Sequence, residues 1–225
     1  MKTVILDFDG TIANTKNCII KTIQKVAEVL GLPSVDESEI KDLIGLPLKD
    51  TFIKVLHISN ENDLQNAIEL YRVVFNKFSD AIELYPNVKT TLETLFSNGV
   101  IITVASSRGK ESLTDLLKRL EIIEYITLIL GEQDVENKKP APDMVLRILE
   151  ETNTSPKNAL IVGDTTYDIE MGQRAECLTC GVTYGNHYEL QLKKQGADFI
   201  ISDFGKLIDL IREKKHNKKN ENNIE

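Results

Sequence analysis

Two carboxylates two residues apart, Asp7 and Asp9, close the short apolar run Lys2-Thr3-Val4-Ile5-Leu6. A β-branched run that stops at Asp7-Phe8-Asp9-Gly10-Thr11 reads as a buried strand ending at a site. Residues two apart in an extended chain point the same way, so both carboxylates can converge on one point. Holding them together there costs free energy unless a cation or a proton offsets the repulsion. The chemistry that follows is a divalent-metal site with one carboxylate free to react. The same residues also fit a plain turn in which Asp7 caps neighbouring amides.

Three later stretches add groups of matching chemistry. Val104-Ala105-Ser106-Ser107-Arg108-Gly109 places hydroxyls ahead of a helix, whose free amides and Ser106 hydroxyl suit phosphate oxygens. Serine ahead of a helix is equally an ordinary N-cap. In Lys138-Lys139-Pro140-Ala141-Pro142-Asp143, proline opens a helix and two lysines precede it. They are either solvated, or Lys139 turns back across the strand ends toward an anion. Leu160-Ile161-Val162-Gly163-Asp164-Thr165-Thr166-Tyr167-Asp168 supplies a further carboxylate at a strand end, with Asp168 about one helical turn on. Capping by Asp164 and a helix-dipole role for Asp168 are the structural alternatives.

The elements that must position these groups follow from periodicity. From Val100 the chain alternates strands (100–105, 126–130, 159–162, 178–182, 198–201) with helices (109–120, 142–151, 166–175, 187–195, 203–213). Continuous apolar strands alternating with helices predict an α/β fold, a Rossmann-like parallel sheet covered on both faces. Ligands of such sheets bind beyond the carboxyl ends of the strands. Between Asn14 and Ala81 no strand is expected, and apolar residues recur at helical spacing near 19–30, 36–44, 48–58 and 61–79. The expected division is a core of 1–13 and 84–211, a small inserted helical unit of 14–83, and a disordered Lys/Asn-rich tail of 212–225.

The 225 residues suffice for one such domain with an insertion. The formal net charge is −8, and the tail holds five Lys/Arg against three Glu, which leaves the remainder at about −10. An acidic body argues against nucleic acid as a partner. It does not exclude small phosphorylated substrates, because a bound Mg²⁺ reverses the local field. No stretch approaches a membrane span, no cleavable leader is expected, and a monomer is the default. Cys18, Cys177 and Cys180 form an odd, sparse set that suits a reducing cytoplasm. Cys177 and Cys180 lack the second pair that a zinc site needs, so buried thiols are expected.

Taken in order, DFDGT, VASSR, KKPAPD and GDTTYDIE resemble the four motifs of the haloacid dehalogenase-like superfamily, over residues 3 to about 201. The helical insertion resembles the cap that this superfamily often carries after its first motif. GDTTYDIEMG and CGVTYGNH resemble the phosphoglycolate phosphatase branch in particular. The resemblance implies that Asp7 is the nucleophile and a Mg²⁺ ligand. It makes Asp9 the general acid/base, with its carbonyl also on the metal, and Asp164 the second carboxylate ligand. Asp168 supports the metal shell and Lys139, while Thr11, Ser106, Ser107 and Lys139 hold the phosphoryl group. Protonation of Asp9 at substrate binding requires neighbours that favour its neutral form. The loop Ile44–Asp50 is expected to face the site, with Lys49 near substrate or simply solvated. Relatives often carry Asp where this chain has Asn14, near the cap hinge. They also often have a cis bond at the position of Lys139–Pro140, although only about 5–6% of X–Pro bonds in folded proteins are cis.

The activity so implied is a Mg²⁺-dependent phosphatase acting on a small phosphoglycolate-like monoester through an aspartyl-phosphate. A β-phosphoglucomutase-like transferase and an inorganic pyrophosphatase are the alternatives within the fold. A phosphonoacetaldehyde hydrolase would need a cap lysine that forms a Schiff base. Haloacid dehalogenases lack the acid two positions after the first Asp, so Asp9 favours phosphoryl chemistry. A non-catalytic phosphate-binding module would be expected to lose the charged groups that are all present here.

Overall fold

The computed structural model describes residues 1–212; the expected disordered tail lies, from 213 on, outside the described residues. Strand β1 (Thr3–Leu6) leads through β2 (Ala13–Asn14) into four helices, α1 (Lys16–Val29), α2 (Glu37–Lys41), α3 (Leu48–Val55) and α4 (Glu61–Phe78). The chain returns through β3 (Glu83–Leu84) and α5 (Val88–Ser97). It then alternates β4 (Ile101–Ala105), α6 (Lys110–Arg119), β5 (Leu128–Leu130), α7 (Asp143–Glu151), β6 (Ala159–Gly163), α8 (Thr166–Arg174), β7 (Leu178–Val182), α9 (Glu189–Gln195) and β8 (Phe199–Ile201).

The main sheet has the order β5-β4-β1-β6-β7-β8, and every pairing in it is parallel. The chain therefore builds outward from β1 on one side, then returns to β1 and builds outward on the other. That reversal puts the topological switch point at the end of β1, where open α/β sheets bind ligands. Burial explains the apolar strands: Val4 and Leu6 join one hydrophobic cluster, while Ile5 joins a second on the opposite face. The first cluster takes its cover from Leu92 of α5 and Leu113 of α6, the second from Met144 of α7 and Met171 of α8. Each fully buried aliphatic side chain of this kind contributes roughly 1.5–3 kcal/mol.

The helical insertion packs its apolar stripes inward. Ile19, Ile20, Ile23, Val26 and Ala27 of α1 are buried against an α4 stripe of Leu64, Ala67, Tyr71 and Phe75. Leu30, expected on the α1 stripe, is instead 39% exposed and sits at the C-cap of the helix. Asn60 starts α4 by accepting the amides of Asn62 and Asp63. The sequence reading contained neither β2 nor β3, two-residue strands that pair antiparallel, with Ala13 opposite Leu84 and Asn14 opposite Glu83. Strands so short carry no period of their own, so only their tertiary pairing defines them. Asn14 is exposed there.

Candidate active site

Parallel register brings the chemistry-bearing segments to one edge. Leu6 pairs with Val104 on one side and Val162 on the other, so Asp7 emerges between the ends of β4 and β6. The Asp7 amide continues the ladder to the Val162 carbonyl at 2.9 Å. Lys139, far away in sequence, reaches this edge from the loop before α7, and the Lys139–Pro140 bond is cis. Its Nζ donates to Asp7 Oδ1 at 2.6 Å and to Asp168 Oδ1 at 2.7 Å. All three side chains are almost fully buried.

Asp168 has a partner on each oxygen. Its Oδ2 accepts the backbone amide and the hydroxyl of Thr165, which caps α8, and its Oδ1 holds Lys139. Asp164 accepts the Thr11 hydroxyl on Oδ1 at 3.1 Å, and the amide and side-chain nitrogens of Asn186 on Oδ2 at 2.7 and 2.8 Å. Gly10 makes this packing possible. Its φ is +88°, and a Cβ there would lie 2.3 Å from Asp164 Oδ2.

Three carboxylates, those of Asp7, Asp164 and Asp168, offer ligand oxygens within 4.8 Å of one another. Lys139 is the cation bound among them. Burial holds the Asp7 carboxyl well above its usual range against the pull of Lys139, and the charges of Asp168, Asp164 and Asp9 add to the rise. Burial also pushes Asp164 up to about 7, helped by Asp168 and opposed by the Asn186 and Thr11 donors. Lys139 stays charged, since Asp168 and Asp7 outweigh its burial. Among the described residues, the buried side-chain oxygens with no hydrogen-bond partner are Asp7 Oδ2, Thr15 Oγ1 and Asn186 Oδ1. An unpartnered oxygen on one of three crowded carboxylates is what a hard divalent cation satisfies, and all-oxygen donors suit Mg²⁺. The residues fit such an ion.

This imbalance has a measurable consequence. In chelator, folded Asp164 keeps its proton up to about pH 7, whereas an unfolded aspartate releases it near 3.8. Between these values the folded state binds more protons than the unfolded state, so stability falls as pH rises through the window. Asp7 moves in the same direction. The melting midpoint should therefore drop between about pH 4 and pH 7, and Asp164→Asn should flatten that drop. A midpoint that rises over this range would contradict the buried-acid assignment.

Asp7 and Asp9 line a cavity of about 510 Å³ with Ser106, Ser107 and Arg108. Its far wall comes from the inserted helices and is largely apolar, with Ile19, Ile44, Leu48, Ile68 and Phe75. Ser106 is buried, and its Oγ accepts the Arg108 amide at 3.2 Å. Ser107 donates instead to the Gly45 carbonyl at 2.7 Å, which ties the 44–46 loop to the core. Thr11, Lys139, Asp164 and Asp168 are buried and do not line this cavity. Lys49, offered as a substrate contact, is not brought to the site. It pairs with Glu61 at 2.8 Å on the exterior of α3, while Leu48 and Thr51 of that helix face the cavity.

Two residues of the site were missed in the sequence. Asn186 orients Asp164, and its position just past β7, at the same sheet edge as the other groups, was the available signal. Arg108 grips Asp9: Nη2 meets Oδ1 at 2.6 Å and Nε meets Oδ2 at 3.1 Å. Such a fork matches the two oxygens of a carboxylate, one N–H on each. Cys18, Cys177 and Cys180 are all buried free thiols, and burial pushes Cys177 and Cys180 up to about 12. Among the described residues, no helix is long and apolar enough to cross a membrane.

Known proteins of similar sequence and fold bear on the family of this chain. A phosphoglycolate phosphatase of Aquifex aeolicus is 32% identical over 218 residues, covering 94% of this chain and 97% of the relative. The pyrophosphatase PpaX of Bacillus cereus is 27% identical over 212 residues, covering 94% of this chain and 96% of that one. A solved structure from Haemophilus somnus, described as a predicted phosphoglycolate phosphatase, superimposes with a TM-score of 0.87. It is 24% identical and covers 93% of this chain and 97% of its own, a likeness of fold. The family model for haloacid dehalogenase-like hydrolases matches residues 4–182, and with Asp7, Ser106, Lys139 and Asp164 gathered at one sheet edge, this chain belongs to that family.

Proposed function

We propose that this protein is a Mg²⁺-dependent phosphatase that hydrolyses a small phosphorylated metabolite through an aspartyl-phosphate on Asp7. The observation that carries the reading is the state of Asp7: a cavity-lining carboxylate with Lys139 on one oxygen and no partner on the other. Attack on phosphorus by the Asp7 carboxylate forms an acyl phosphate, which splits one difficult hydrolysis into two displacements. Asp7, Asp164 and the Asp9 carbonyl would hold Mg²⁺, which would supply charge neutralisation for the phosphoryl group. Lys139 offsets charge from the opposite side, and Ser106 stands at the cavity wall to hold a phosphoryl oxygen. Asp9 lies two residues from the nucleophile and gives a proton to the leaving oxygen, then takes one from the attacking water. Such acid/base help is typically worth about 10²–10⁴-fold.

We read residues 14–83 as the cap that covers this chemistry and chooses the substrate. The apolar far wall and the loop around Gly45 support this reading. Phosphoglycolate is the leading single candidate, since relatives at 27–32% identity carry that name. Pyrophosphate is the second, on the strength of the pyrophosphatase relative. The three buried thiols suit a reducing compartment, and we place the protein in the cytoplasm.

Phosphate release across a panel of phosphorylated metabolites, with Mg²⁺ and with chelator, tests the proposal. Release is expected only with the ion. Mg²⁺ should also raise the melting midpoint of wild-type protein, and Asp164→Asn should lose most of that rise. Turnover that ignores chelation would overturn the metal assignment.

A further inference from the structure

Arg108 has no part in the steps above, yet it holds the residue that performs one of them. Its side chain is 8% exposed and lines the cavity. Nε and Nη2 take both oxygens of Asp9, while Nη1 donates to Ser112 at 3.2 Å. The guanidinium also lies over the Phe75 ring of α4, 4.4 Å from its centroid. In this arrangement both oxygens of Asp9 are engaged by the fork, with one hydrogen bond on each. Release of Asp9 by the fork would leave both of its oxygens open for proton transfer.

A guanidinium separates readily from one carboxylate only when another anion of similar geometry replaces it, because the fork matches carboxylate and phosphate alike. The Ser112 and Phe75 contacts do not involve Asp9, so they can keep the guanidinium at the cavity wall during such an exchange. The other cations on this wall are placed differently. Arg119 is held by Ser79 and Asp80, and Arg72 is exposed on α4. Glu111 and Asp115, the acids that α6 adds to the wall, are exposed and form no hydrogen bond with Arg108.

We propose that Arg108 is the specificity-determining residue of this cavity. It selects phosphate esters or anhydrides whose leaving group is or carries a second anion, a carboxylate or a phosphate, because that anion takes over the fork and frees Asp9. The inference rests on the phosphatase reading and refines its substrate class.

The test compares three substrates: 2-phosphoglycolate, its uncharged isostere isobutyl phosphate, and inorganic pyrophosphate. Wild-type protein is expected to prefer at least one of the anionic substrates over the isostere in kcat/KM. Which of the two is preferred identifies a carboxylate or a phosphate as the recognised group. In Arg108→Gln that preference should shrink by about tenfold or more, the usual worth of a charge-assisted pair. Arg108→Lys, which keeps the charge without the fork, should restore only part of it. A ratio between isosteres is insensitive to a general loss of folded protein, so a merely structural arginine would leave it unchanged. An unchanged ratio in either variant, or a wild-type enzyme with no preference, overturns the proposal while leaving the phosphatase reading intact. No phosphate release from any of the three by wild type would remove both.

Discussion

Asp7→Asn is expected to lower phosphate release by about four orders of magnitude or more. A carboxamide cannot form the acyl phosphate, and no neighbouring acid replaces it. Asp168 is occupied by Thr165 and Lys139, Asp164 by Thr11 and Asn186, and Asp9 by Arg108. The substitution should leave the fold intact. Asn retains an oxygen that can accept from Lys139, Asp168 still pairs with that ammonium, and one buried charge is removed from a crowded set. The pair of measurements is initial-rate phosphate release and a thermal melt. A folded variant turning over within about tenfold of wild type would exclude the aspartyl-phosphate route.

Lys139→Met is expected to cost about 3–5 kcal/mol of stability in chelator, the usual loss when one partner of a buried ion pair is removed. Its ammonium is 1% exposed and spans Asp7 and Asp168, so its loss leaves those two carboxylates facing each other without a cation. Activity should fall as well, because the charge opposite the phosphoryl group goes with it. Urea denaturation of Lys139→Met, Asp168→Asn and the double variant measures the coupling directly. The double variant should be more stable than Lys139→Met alone, since it removes one of the stranded charges. Simple additivity of the two losses would mean that Lys139 acts through packing rather than charge.

The relatives named for phosphoglycolate and for pyrophosphate cover this chain to the same extent. Coverage alone therefore does not choose between these substrates. On our proposal, discrimination lies on the other side of the cavity, where Arg108 and the inserted segment form the wall.

The alternation of apolar strands and helices already determined a parallel α/β sheet, since β6 and β7 announce themselves as unbroken apolar runs and their strands come within a residue of expectation. The short polar segments that follow strands also announced the edge where Asp7, Ser106 and Asp164 meet, because parallel strands deliver all their carboxyl ends to one side. Tertiary structure alone decided how those groups are paired. Lys49 and Arg108 are each a cation near a helix start, and nothing local separates them. Packing turns Lys49 outward to Glu61 and buries Arg108 against Asp9 and Phe75. Likewise, Asn186 is 22 residues from Asp164 and reaches it only because β7 lies beside β6. Periodicity reports which face a residue occupies, but charge pairing depends on which distant side chain shares the same few ångströms, and only the folded chain brings those partners together.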